Sequence, residues 1–156
     1  RRQADTARKD LQGQLRQEAP AAHEEEHQEA GLKPFLVLGA VLAAVAVGLG
    51  AFGAHGLKAR LSVEMLGVWQ TAVQYHAWHA LGLMAVALTG FHLEGNWLKA
   101  AGWLLVAGIA LFSGSLYALA LGAPRGLGMV TPFGGLAFIA GWIAFALGVI
   151  YARTPA

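Results

Sequence analysis

The chain has 156 residues, 56% of them hydrophobic and 13% charged, against the roughly 25% charged residues usual in soluble domains. That balance, with a mean hydropathy of +0.51, excludes an ordinary water-soluble domain and points to lipid. The absence of cysteine excludes disulfides and thiolate chemistry, and a net charge of +2 made of scattered or acid-paired basic residues defines no nucleic-acid surface.

In chain order, residues 1–33 come first as a polar, charged tail. Twelve of the twenty charged residues lie in residues 1–30, in alternating groups such as Arg8-Lys9 and Glu24-Glu25-Glu26. With almost no large apolar side chains the tail has nothing with which to bury a core, and it lacks the apolar stretch and cleavage site of a signal peptide. Residues 34–156 form a second, nearly neutral unit that reads as a transmembrane domain.

Four apolar runs follow, over residues 35–54, 76–93, 100–123 and 133–152. Each approaches the ~20 residues that a helix needs to cross a hydrocarbon core of about 30 Å. Nothing alternates with period two, so the spans are helices. Glu94-Gly95-Asn96 and Gly122-Ala123-Pro124-Arg125-Gly126 are short breakers that make successive helices antiparallel. The first connection is longer: Ser62 is placed to cap a helix whose apolar residues Leu61, Met65, Val68 and Ala72 recur at helical spacing. The expectation there is an interfacial segment that runs into the second span. The fold class is therefore all-α: an integral membrane, four-transmembrane-helix antiparallel bundle. Stripes of small residues are expected at its contacts: Ala40, Ala44 and Gly48, then Gly114, Ala118 and Gly122, then Ala140, Ala144 and Gly148. Thr131-Pro132 reads as a cap and first-turn proline for the last span.

The polar residues of this apolar body are the candidate site: His55, Gln70, Gln74, Tyr75, His76 and His79, with Ser113, Ser115 and Tyr117 on the third span. On a helix Gln70 and Gln74 share one face and Tyr75 and His79 another, while His76 and His79 are neighbours three apart. One reading is hydrogen bonding between helices, which measures about 0.6 kcal/mol per contact in membranes. The other is a proton relay or the head-group site of a small ligand. Burial of an unpaired amide or imidazole costs a few kcal/mol, so Gln74 and His79 are expected to point inward and to bond another span. No metal or cofactor is assigned, because no carboxylate or thiolate accompanies the histidines. Lacking a Ser-His-Asp set, a phosphate loop or a carboxylate pair in the membrane body, the chain has no candidate catalytic residue and is read as a non-enzyme. His92, at the other end of its span from His76, is an interfacial residue.

Read together, Gly53-Ala54-His55-Gly56, the run from Trp69 to His79, Phe112-Ser113-Gly114-Ser115-Leu116-Tyr117 and Thr131-Pro132-Phe133-Gly134-Gly135 carry a family resemblance. They resemble the small YgdD/YwdK-like membrane proteins, the family labelled domain of unknown function 423, over about residues 34–152. The resemblance implies a four-helix protein, mostly of bacterial plasma membranes, with no established activity and no catalytic residues to carry over; the tail departs from it. The expected function is a non-enzymatic accessory or scaffold subunit packed against a larger membrane complex, the alternative a ligand-binding or proton-relay bundle. Expected partners are the lipid bilayer and a membrane protein or a second copy, with no nucleic acid. The basic tail places both termini in the cytoplasm.

Overall fold

The structure, a computed structural model, describes residues 33–93 and 95–152. Apart from Lys33, the charged tail lies outside the described residues. The described residues are helical throughout, apart from the connections. Helix α1 is Lys33–Leu57, α2 is Val63–Thr89, α3 is Asn96–Ala120 and α4 is Thr131–Tyr151, with a short 3-10 turn over Arg125–Met129 before α4. Two wider π turns interrupt the regular helix, Gly53–Leu57 in α1 and Ile109–Ser113 in α3.

Ser62 starts α2 as its sequence suggests. Its backbone is extended and its hydroxyl accepts from the Met65 N–H at 3.2 Å, while Glu64 sits in the first turn where the helix dipole favours an anion. As expected, the segment capped by Ser62 runs into the second apolar run: α2 is unbroken for 27 residues, because no proline or turn cluster separates the capped start from the apolar half. At the other boundary Gly122 ends α3 in the left-handed region, φ 95°. Its N–H reaches the Leu119 carbonyl at 3.0 Å and the Ala123 N–H reaches Ala118 at 2.9 Å, the paired bonds of a Schellman stop, and Pro124 prevents continuation. The Thr131 side chain makes no capping bond; Val130 occupies the cap position and Pro132 the first turn.

Three helical stretches are long and apolar enough to cross a membrane: Lys33–Leu57, Asn96–Ala120 and Arg125–Tyr151, with mean hydropathies of 2.5, 1.8 and 2.1. Although α2 is as long, Gln70, Gln74, His76 and His79 deprive it of such a stretch.

Glycines record how successive helices meet. A methyl group at Gly39 would lie 2.6 Å from Met84, one at Gly50 3.4 Å from Val73 and one at Gly53 2.6 Å from the Trp69 ring, so α1 and α2 run antiparallel. Gly82 faces Leu105 while Trp69 and Tyr117 have ring centres 4.7 Å apart, which makes α2 and α3 antiparallel too. Along α4, Gly134 meets the Phe112 backbone, Gly141 meets Leu105 and Gly148 meets Leu98, again in reverse order. The interior between α2, α3 and α4 is filled by Val86, Leu98, Ala101, Leu105, Ile109, Phe138 and Ala144.

The small-residue stripes are only partly the ones expected. On α4, Ala144 and Gly148 are buried but Ala140 is exposed, and Gly134 and Gly141 complete the inward face. On α3, Gly114 and Gly122 are exposed and Ala118 half-buried. On α1, Ala40, Ala44 and Gly48 all point outward, because Phe35, Gly39 and Ala46 occupy the inward positions. Helix α1 is the least covered of the apolar stretches, 17% buried against 33% and 28% for the other two.

Candidate functional site

Helix α2 buries a seam of Trp69, Ala72, His76, His79 and Leu83, spaced alternately by three and four residues. The seam selects among the polar residues. His76 and His79 go inside, 4% and 6% exposed, while Gln70 and Gln74 face outward. The expectation for Gln74 is therefore corrected. Residues five apart on a helix are separated by about 140°, so Gln74 and His79 do not share one narrow interior face.

The deepest polar contact joins α2 to α3. The His76 Nδ1 lies 3.3 Å from the Tyr117 hydroxyl, and Tyr117 also packs on Trp69. The Trp69 indole N–H donates to the Leu49 carbonyl at 3.0 Å, just ahead of the π turn of α1, where Gly53 leaves room for the ring. Three helices are thus held at one level by Leu49, Trp69, Tyr117 and His76. On its other side His76 presents Nε2, which is buried and has no partner among the described residues. The same holds for the hydroxyl of Ser113, a residue with 0% exposure.

His79 is satisfied differently from the expected bond to another span. Its Nδ1 lies 2.6 Å from the Tyr75 carbonyl of its own helix, and since a carbonyl only accepts, that nitrogen carries the proton. The ring stacks on Phe138 of α4, with centroids 3.4 Å apart and planes inclined by 13°. Tyr75, half-buried, packs its ring on Phe112 at 4.6 Å.

Ser115 belongs to a separate joint. Its hydroxyl donates to the Phe112 carbonyl at 2.9 Å and lies 2.7 Å from the Thr131 hydroxyl. Having one proton and spending it on Phe112, Ser115 accepts from Thr131, which ties the first residue of α4 to α3. Gly134 then seats against the Phe112 backbone one turn later.

His55 is exposed on the π turn of α1, at the level of Trp69, and His79 lies ten residues farther along α2, about 15 Å. The structure does not bring the two together. Among the described residues no three His, Cys, Asp or Glu side chains converge on a possible metal position. His92 is exposed in the turn after α2. A cleft of about 590 Å³ at the Ser62 end of α2, walled by Met65 and Leu119 with Glu64 and Arg125 at its edge, contains none of the polar residues singled out from the sequence. Nothing in the sequence marked Trp69 as the donor that grips α1; a tryptophan directly ahead of Gln70, at the head of the run that holds Gln74, His76 and His79, was the available signal.

Apolar helices of membrane-crossing length, packed around a partner helix with a polar interior, define a helical membrane protein. The chain belongs to the family described as "Protein of unknown function (DUF423)", which matches residues 49–135. The UPF0382 membrane protein YwdK of Bacillus subtilis (strain 168) is 51% identical over 120 residues, covering 76% of this chain and 98% of its own. UPF0382 membrane proteins of Staphylococcus saprophyticus and Staphylococcus haemolyticus are 48% and 49% identical, over 75% and 72% of this chain and 97% and 91% of theirs. These names give a membrane location and no activity. No solved structure matches.

Proposed function

We propose that the chain is a non-catalytic subunit of a membrane assembly, a four-span bundle of a bacterial plasma membrane with both termini in the cytoplasm. The observation that carries this reading is the outward stripe of Ala40, Ala44 and Gly48 on α1, where even a Cβ at Gly48 meets nothing within 4 Å. In lipid there is no hydrophobic force between helices, and association depends on small residues that let backbones approach. A stripe of this kind that the described helices leave uncovered suits a neighbouring helix. Around it, the polar side chains of the motifs act as joints: Trp69 to α1, His76 to Tyr117, Thr131 to Ser115.

Native purification in mild detergent should retain a second membrane protein with this chain. Gly48→Leu should release that protein at least tenfold while leaving the thermal unfolding midpoint of the isolated chain within a degree or two. Retention of the same partner by Gly48→Leu would defeat the reading. The orientation is checked by a reporter fused after Ala156, which should be active on the cytoplasmic side.

A second reading, a proton-relay or small-ligand site, is favoured by one observation: the His76 Nε2 and the Ser113 hydroxyl are both buried without partners among the described residues. Tyr75 packs on Phe112 and His76 reaches Tyr117, so His76 and Ser113 fall at neighbouring levels of antiparallel helices. A water bridging them would extend the Tyr117 and His76 contact into a chain of exchangeable protons.

A further inference from the structure

The cleft at the Ser62 end of α2 takes no part in the joints between helices. Its walls are Met65 and Val68 of α2 and Leu116 and Leu119 of α3, all half-buried. Its volume of about 590 Å³ falls among small-molecule pockets, which run from about 300 to 1,000 Å³. Ser62 caps the start of α2 and Gly122 ends α3, so the mouth lies at the end of the apolar stretch Asn96–Ala120. From there to Val68 on one wall and Leu116 on the other is six residues of helix, about 9 Å. With Asn96–Ala120 crossing the membrane, the head-group layer outside the hydrocarbon is about 5–7 Å thick on each side. The cleft therefore passes through that layer and ends among the first carbons of the acyl chains.

Charge sits at the mouth. Glu64 and Arg125 edge the cleft, both are exposed, and neither side chain makes an ion pair or a hydrogen bond among the described residues. One opening thus carries two opposite charges that do not neutralise each other. Ser62 adds a donor, since its hydroxyl accepts from the Met65 N–H and keeps its own proton to give.

These features select the occupant by elimination. A simple anion would be drawn to Arg125 and repelled by Glu64, and a simple cation the reverse. A fatty acid would fill the walls and match Arg125, yet leave Glu64 facing a second negative charge. What matches all three is a molecule with a negative and a positive group a few bonds apart, joined to a hydrocarbon chain.

We propose that the cleft binds one membrane phospholipid whose phosphate carries a primary ammonium. The phosphate accepts from the forked guanidinium of Arg125 and from the Ser62 hydroxyl, the ammonium donates to Glu64, and the first methylenes lie along Val68 and Leu116. A quaternary ammonium has the charge but no N–H to donate, so it is held less well. The site is separate from the α1 stripe and rests only on Asn96–Ala120 crossing the membrane.

The test uses the full chain in nanodiscs of equal parts phosphatidylethanolamine, phosphatidylcholine and phosphatidylglycerol, moved into mild detergent and weighed by native mass spectrometry. One phosphatidylethanolamine per chain should be retained, at least tenfold over phosphatidylglycerol and severalfold over phosphatidylcholine. Glu64→Gln should erase that preference, because only the ammonium is lost, whereas Arg125→Gln should lower retention of all three lipids. Both residues are exposed, so the thermal midpoint of the lipid-free chain should not move with either substitution. Equal retention of the three lipids by the natural chain would overturn the proposal. So would a retained phosphatidylethanolamine that neither variant loosens, which would place the lipid elsewhere. Displacement of the lipid by an equal concentration of soluble phosphoethanolamine would overturn it as well, since the apolar walls would then contribute nothing.

Discussion

The seam between α3 and α4 and the seam between α2 and α3 are built from different materials. Along the first, Gly134, Gly141 and Gly148 admit Phe112, Leu105 and Leu98 so closely that almost no polar group is needed. Along the second, Trp69, His76 and Tyr117 meet at one end, and two buried polar atoms of α2 and α3, His76 Nε2 and the Ser113 hydroxyl, have no partner among the described residues. Inside lipid the first design draws its stability from contact area and the second from a few directional bonds worth little each. Position in the sequence follows the difference: the glycine seam lies between the two most interior apolar stretches, the polar seam within the one helix too polar to count among them.

The largest expected effect tests the glycine seam. A Cβ at Gly134 would run into the Phe112 backbone, which has no rotamer with which to move away. Gly134→Val should therefore cost at least the upper end of the about 1–3 kcal/mol usual for overpacking, read as a fall of several degrees in the thermal midpoint in detergent. A midpoint unchanged by this substitution would mean that α3 and α4 do not meet as closely as described.

A smaller effect belongs to the hydroxyl pair at the start of the α3–α4 seam. Ser115→Ala and Thr131→Val each remove one side of a 2.7 Å hydroxyl pair, for about 0.6 kcal/mol by the measure of membrane hydrogen bonds. Because they share one bond, the double variant should be scarcely worse than either single one. Additive losses in a double-mutant cycle would show that the hydroxyls act separately.

Much of this arrangement was legible before the structure. Some helix boundaries were readable because their chemistry is local: Ser62 needs only its own next turn, and Gly122 followed by Pro124 stops a helix wherever it stands, whereas Thr131, read as a cap, makes no capping bond. The spans near 35–54, 100–123 and 133–152 followed from runs of apolar residues. Facing was the part that misled. In water a polar residue on an amphipathic helix points outward, but in lipid the same residue is expected inward, and α2 has both kinds on both faces. Gln74 and His79 were assigned to one interior although their spacing places them about 140° apart. Similarly, the stripe of Ala40, Ala44 and Gly48 has the right spacing for packing, and the sequence carries no sign that Phe35 and Ala46 would take the inward side.

The smallest effect bears on the polar seam itself, and its sign matters more than its size. The Ser113 hydroxyl is fully enclosed and has no partner among the described residues, so in a dry interior it contributes only its desolvation cost. Ser113→Ala removes that cost and leaves a space of one oxygen atom. The midpoint should stay level or rise by a degree or two. Were a water to bridge Ser113 and the His76 Nε2, the same substitution would strand both the water and the imidazole, and the midpoint would fall. A His76→Phe variant separates the two cases further: without a water, Ser113→Ala has the same effect in the His76→Phe background as in the natural chain, whereas with one the two substitutions are coupled. A fall together with coupling would favour the relay reading over the subunit reading, since structural joints have no need of a hydrated interior. A level or raised midpoint with no coupling leaves the polar seam as what its other bonds already make it, a set of ties between α1, α2 and α3.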